Sequence, residues 1–241
     1  MKDVRRGYAP EDEHQFNEKQ VQKLRTAQHD LIYLLNHNYP MKTATTFVGN
    51  HFQLSGRQRT ALMRSSCSTA DLRNRKVRQI TGTLAGRTLF IDGFNLVITL
   101  ETALSGSTLL SCMDGTIRDL CGLHGTYRLI DRTTEALNLI GNELKKLSAV
   151  AAVFILDRQI SNSGRLKSRI MDQLQTFSPV AVQLSNHADT LLMQQNCVAT
   201  SDSGILDQCR DWVNLARSII ENSLPEIRPV DLSGKRIEQI S

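Results

Sequence analysis

Two periodicities divide the chain. Near the start, apolar positions recur at helical spacing: Phe16, Leu24, Ala27, Leu31, Leu34 and Leu35 form one stripe among polar residues. Pro10, followed by Glu11, Asp12 and Glu13, predicts the helix start, because acids are favourable at the positive end of the helix dipole. Tyr39-Pro40 predicts its stop. A second short helix is expected over 42–48, ended by Gly49-Asn50, and a third is capped by Ser55 and runs through Arg57, Ala61, Leu62 and Arg64. The Ser/Thr/Arg-rich stretch 65–83 then reads as a boundary.

Beyond residue 87 the pattern becomes short apolar runs bounded by turn residues. The runs 88–91, 151–156, 180–184 and 197–200, rich in Val, Ile, Ala and Phe, read as buried strands of a parallel sheet, with 227–232 as a candidate last strand. Between the first two lies a long insertion, 96–147, expected to be mostly helical, with Ala136, Leu137, Ile140, Leu144 and Leu147 on one face. Helices are expected around Leu166, Ile170 and Leu174, over 188–194, and over 204–220. Repeated strand-then-helix units predict an α/β domain over 81–241, preceded by a small basic α-helical module over 1–80.

Composition changes this picture little. The 241 residues are 40% hydrophobic and 22% charged, ordinary for a globular chain, and no apolar run approaches a membrane span. No apolar segment follows the charged N-terminus, so no secretory signal is read there. The five cysteines, scattered and without C-x-x-C spacing, predict reduced thiols and a cytoplasmic location. The formal net charge of +5 favours polyanionic partners only weakly. Its distribution says more: Arg57, Arg59, Arg64, Arg73, Arg75, Lys76 and Arg78 face a single acid, Asp71, in one stretch that is either a solvated surface or a nucleic-acid contact.

The candidate chemistry lies at the strand ends. Asp92, Asp157, Asp189 and Asp202 each sit just past one of the four apolar runs. Ligand sites of open α/β sheets lie outside the carboxyl ends of the strands. Carboxylates gathered there repel one another unless a cation sits among them. Each has a plainer alternative. Asp92, Asp189 and Asp202 suit turns or helix caps, and Asp157 suits an ion pair with Arg158 or Arg165. Four such alternatives at successive strand ends are less economical than one shared divalent-metal site. Asn95 is placed to hydrogen-bond beside Asp92, and Thr200, Ser201 and Ser203 to orient Asp202 or touch a phosphate. Arg158, Arg165 and Lys167 are either solvated helix charge or candidate phosphate grips. Tyr127, with His124 and Arg128, is a candidate base-stacking group, and His187 stands near the same chemistry.

The order Ile91-Asp92-Gly93-Phe94-Asn95, Leu156-Asp157, Ala188-Asp189-Thr190 and Thr200-Ser201-Asp202-Ser203 resembles the PIN-like nuclease superfamily, its NYN branch most closely. The whole chain also resembles an uncharacterised prokaryotic family joining a helical module to such a domain, through Tyr33-Leu34-Leu35, Val48-Gly49-Asn50, the stretch from Asp114 to Asp119 and that from Ser161 to Arg165. The resemblance implies a Rossmann-like three-layer fold and a metal-dependent endoribonuclease in which Asp92, Asp189 and Asp202 hold Mg²⁺ or Mn²⁺, with Asp157 a further ligand. RNA is the implied partner, DNA the second candidate, and the basic helical module would guide it. The insertion departs from the superfamily pattern. Glu101, Asp114 and Asp119 compete there for an acidic role, and Asp114 and Asp119 around Arg118 are either a site wall or an internally paired knot. The alternatives are a non-catalytic nucleic-acid-binding scaffold and a metal-dependent small-molecule phosphatase. A G-x-G-x-x-G after the first strand and a G-x-x-x-x-G-K-[ST] are both absent, so no nucleotide cofactor is expected. No membrane partner is expected, and a homo-oligomer is compatible with the sequence.

Overall fold

The computed structural model describes residues 4–122, 125–174, 176 and 179–234. The N-terminal stripe forms not one helix but two. A single turn, α1 (Asp12–Gln15), is followed by α2 (Glu18–Asn36), because the Asn17 side chain accepts from Gln20 N and starts a new helix there. Helix α3 (Met41–His51) runs through Gly49 rather than ending at it. A Cβ at Gly49 would lie 2.8 Å from Arg59 Nε, so glycine serves a close approach and not a C-cap. Helix α4 (Gly56–Ser65) starts in a capping box between Ser55 and Gln58, as its sequence implies.

The stretch read as a boundary is itself structured. It carries α5 (Thr69–Arg78), capped by Ser68, and strand β1 (Gln79–Ile80). Arg75 is the buried residue of α5, so the helix shows no apolar stripe and is anchored by charge instead. After it the chain alternates through β2 (Thr88–Asp92), α6 (Gly93–Leu104), β3 (Leu109–Ser111), β4 (Ile117–Asp119) and α7 (Arg132–Leu147). It continues through β5 (Ala151–Asp157), α8 (Ser163–Leu174), β6 (Val180–Ser185), α9 (Ala188–Met193), β7 (Val198–Ala199), α10 (Ser203–Gln208), β8 (Trp212–Val213), α11 (Leu215–Ser223) and β9 (Val230–Asp231). Two expectations are corrected. The insertion is helical only at its ends, with the β3–β4 hairpin between, and the long helix over 204–220 is broken by β8. Trp212 and Val213 make parallel ladders with both β7 and β1, and that pairing outweighs the helical spacing around them.

Six strands form one parallel sheet in the order β1-β8-β7-β2-β5-β6. From β2 the chain winds outward through β5 and β6, then returns to the other side of β2 with β7 and β8. The strand order therefore reverses between β2 and β7, where open α/β sheets form their ligand crevice. Side-chain alternation divides the core. Leu89, Ile91, Ala152, Phe154 and Leu156 join Leu100, Leu137, Ile140 and Ile170 on one face. On the other, Ile155, Val198 and Trp212 pack with Leu192, Ile205 and Leu206. Helices thus cover both faces of the sheet.

The second sheet, β4-β3-β9, corrects the place of the last strand: Val230 and Asp231 pair with β3 and not with the main sheet. Leu110, Cys112, Leu120 and Leu232 of this small sheet and its flanks share a buried cluster with Leu24, Leu31, Val48 and Leu62 of the N-terminal helices. Among the described residues no helix is long and apolar enough to cross a membrane.

Candidate functional site

Asp92 ends β2 beside the topological switch, and its backbone passes directly into α6. That sharp entry depends on Gly93, where a Cβ would meet Leu156 Cδ2 at 2.5 Å. Oδ2 of Asp92 accepts from the Thr200 hydroxyl at 2.9 Å, and Oδ1 accepts from Asn95 N at 3.4 Å as the cap of α6. The Asn95 side chain turns across the switch, its Oδ1 accepting from both Ser201 N and Ser201 Oγ at 2.9 Å. These bonds tie the end of β2 to the loop after β7. Asp202 in that loop caps α10 through Ile205 N at 3.2 Å, and its own N–H donates to Thr200 Oγ1 at 3.0 Å. The sequence identifies both the cap and the functional candidate at Asp202, and the cap is what the geometry displays. Ser203 is the exposed first residue of α10.

Asp157 ends β5 and accepts from Gln159 N at 2.8 Å, closing a turn. Asp189 lies exposed in the first turn of α9. Burial pushes the Asp92 carboxyl up to about 7; the Thr200 hydroxyl opposes this, while Asp202 and Asp189 add to it. The Asp189 carboxyl is also raised, first by burial and then by Asp202 and Asp157. Asp92 and Asp189 therefore lie within electrostatic reach of each other and of Asp202 along the carboxyl edge of the sheet, with Asp157 in reach of Asp189. Among the described residues none of them has an ion-pair partner. As placed, no three His, Cys, Asp or Glu side chains among the described residues converge closely enough to hold a metal ion.

Buried acids elsewhere carry cations. Asp114 is the centre of a buried knot, with Arg75 Nη1 donating to it at 2.7 Å and Arg118 Nη2 at 2.6 Å, while Thr116 donates through Oγ1 at 2.7 Å. Burial opposes its ionisation, but Arg118, Thr116 and Arg75 hold the carboxyl down at about 2. Arg118 Nε also donates to Ser201 O at 2.6 Å, so the knot braces the loop carrying Asp202. Asp119 accepts from Thr99, Cys121 N and Arg64. Of the two alternatives, Asp114 and Asp119 are thus internally paired. Glu101 is likewise enclosed by Arg6, Tyr127 and Thr133.

Most of the basic run is also committed internally, Arg73 and Lys76 remaining exposed. Arg57 grips Asp12 and the carbonyls of Gly7 and Leu120; Arg59 binds Leu54 O and Asn50; Arg64 binds the carbonyls of Asp119 and Cys121. These three expected phosphate contacts are braces between helices and the β4 region. Tyr127 is fully buried and cannot stack on a base; His124 lies outside the described residues, and His187 is exposed just before α9. Arg158, Arg165 and Lys167 remain exposed beyond β5. Sequence reasoning did not single out Arg169, which joins Arg128 and Arg165 around an open cavity of about 670 Å³; only its i, i+4 spacing from Arg165 signalled it.

Two family models match adjoining stretches of the chain. One, described as a protein of unknown function (DUF434), covers residues 23–78, and one described as a domain of unknown function (DUF5616) covers residues 81–218. The chain is 33% identical over 183 residues to the uncharacterized protein MJ0935 of Methanocaldococcus jannaschii, covering 75% of this chain and 87% of that one. No solved structure matches it. On the extent of the match over 81–218, the chain belongs to the DUF5616 family.

Proposed function

We propose that this protein is a divalent-metal-dependent nuclease acting on RNA, with Asp92, Asp157, Asp189 and Asp202 at its centre. One observation carries the reading: four carboxylates gather unpaired along the ligand edge of the sheet, while buried acids elsewhere carry arginines or lysine. The donor set is hard oxygen, which suits Mg²⁺ or Mn²⁺. Asp92, Asp189 and Asp202 would hold the ion, with Asp157 assisting. An ion held there would supply the chemistry of activating water for phosphodiester hydrolysis. Thr200 and Asn95 fix the Asp92 carboxylate, and the Arg118 knot fixes the loop of Asp202. The reading requires the exposed Asp189 and Asp202 side chains to turn toward Asp92 on loading. RNA as the substrate rests on the PIN-like resemblance.

A second reading, a nucleic-acid-binding scaffold without catalysis, is favoured by the absence of three converging ligands among the described residues. One experiment separates the two. Purified protein is incubated with RNA and DNA oligonucleotides and a small phosphomonoester, in Mn²⁺, Mg²⁺ or chelator. The nuclease reading expects ion-dependent RNA cleavage that Asp92→Asn or Asp202→Asn lowers by about a hundredfold or more, the scale of losing a group that stabilises transition-state charge. Cleavage indifferent to both substitutions rejects this site, and salt-sensitive RNA binding without cleavage supports the scaffold.

A further inference from the structure

The geometry points to a phosphate-binding pocket for a single polynucleotide strand, formed by Arg128, Arg165 and Arg169 beside the aspartate edge. Arg165 and Arg169 stand one helical turn apart on α8, and Arg128 approaches from the segment before α7. All three are exposed around the cavity of about 670 Å³, with Asn162 and Ser168 as further polar wall and Asp172 as its acid. Like charges at i, i+4 weaken a helix slightly, so the pair is not there for the stability of α8.

Three forks around one cavity carry the argument: exposed Arg73 and Arg210 also lack an acceptor among the described residues, but neither lines it. Arg57, Arg64, Arg75, Arg87 and Arg118 are each bound to carboxylates. The guanidinium groups of Arg128 and Arg165 have no acceptor among the described residues, and Arg169 has only a 3.4 Å contact with Thr134. The Asn162 side chain, with the backbone at φ 61°, donates to Tyr127 O at 2.6 Å, which ties the start of α8 to the segment bearing Arg128. The walls are thus held together while the forks are left open. Planar guanidinium forks suit phosphate oxygens. The cavity flanks α8, which follows β5 by a short turn, so it lies on the side of the sheet edge that bears Asp157. On the nuclease reading, a strand with one phosphate here would continue toward Asp157 at the end of β5. The identity of the ligand as a polynucleotide rests on the nuclease reading; the binding itself does not require cleavage.

The test is fluorescence anisotropy with a labelled single-stranded RNA of about ten nucleotides, in chelator, across a KCl series, with inorganic phosphate and a mononucleotide as competitors. Arg165→Gln, Arg169→Gln and Arg128→Gln should each weaken binding several-fold. Each should also reduce the slope of log affinity against log salt by about 0.7, the value for one phosphate contact on a single strand. Arg210→Gln, removing the same charge from an exposed position just ahead of β8, should leave the slope unchanged. Equal losses from Arg210→Gln and the pocket variants overturn the proposal in favour of general charge, as does wild-type affinity in the triple variant with unchanged melting temperature. Full competition by phosphate or mononucleotide at concentrations equimolar with RNA phosphate overturns the polynucleotide and leaves a small-ligand site. Intact pocket-dependent binding with no cleavage under any ion sinks the nuclease reading alone.

Discussion

Asp92 is held at a cost. Its carboxyl sits at about 7 in the folded chain against an ordinary 3.8, chiefly through burial, with Asp202 and Asp189 adding to the effect. A carboxyl raised on folding contributes fully below pH about 4, and that contribution is lost as pH rises through 7. In chelator at pH 8, Asp92→Asn should therefore stabilise the protein, on the order of 2 kcal/mol, while at pH 4 the two proteins should match. Mn²⁺ should raise the wild-type melting temperature and leave the variant's unmoved, since an ion that binds only the folded state stabilises it. Urea titrations at both pH values check this, and a variant no more stable than wild type at pH 8 refutes it. Asp114 shows the opposite sign. Its carboxyl is held at about 2, so its contribution is present above pH about 4 and lost as pH falls toward 2. Acid unfolding should begin in that window and shift upward on removal of an arginine partner.

The elements that the sequence made legible are those stabilised by apolar burial. The runs at β2, β5 and β6, the stripe of α7 and the cap of α4 could be read because each obeys a local period or a local hydrogen bond. Helix α5 could not, because Arg75 reaches Asp114 and Asp207, partners 39 and 132 positions away. Strand β8 was hidden for a similar reason: two residues have no period, and only their neighbours β1 and β7 make them a strand. The places of the aspartates at and just beyond strand ends were legible because each follows an apolar run, whereas the open cavity of Arg128 and Arg169 needed the fold to assemble it. The knot joins these cases, since Arg118 bridges Asp114 to Ser201 O and links the hairpin strand β4 to the Asp202 loop. Arg118→Met should cost about 3–5 kcal/mol, because it leaves buried Asp114 partly uncompensated. Chemical denaturation measures this; a loss below about 1 kcal/mol would mean that Arg75 alone neutralises the site. Arg118→Met with Asp114→Asn should cost less than the sum of the two single changes, as groups in one network do.

At the scale of the molecule, sequence families and packing disagree about where units end. Two family models meet between residues 78 and 81, yet the structure is continuous across that point. Strand β1 carries the chain into the main sheet against β8, and Arg75 locks α5 onto α10 through Asp207. On the other side, Leu24, Leu31 and Leu62 share one buried cluster with Leu110, Leu120 and Leu232, and Gln28 Nε2 donates to Leu232 O at 3.0 Å. Removing 1–80 would expose that apolar face and leave Asp114 with one arginine fewer. A fully buried leucine stabilises by about 1.5–3 kcal/mol, so losing several such contacts approaches the whole stability of an ordinary domain. The full chain should therefore melt in one transition, with calorimetric and van't Hoff enthalpies equal. The fragment 81–241 should aggregate or lose its near-ultraviolet circular dichroism while keeping much of its far-ultraviolet signal. A fragment that unfolds cooperatively on its own, or a full chain with two separated transitions, would show that the helices only lean on the α/β part, and the knot around Asp114 would then need no help from α5.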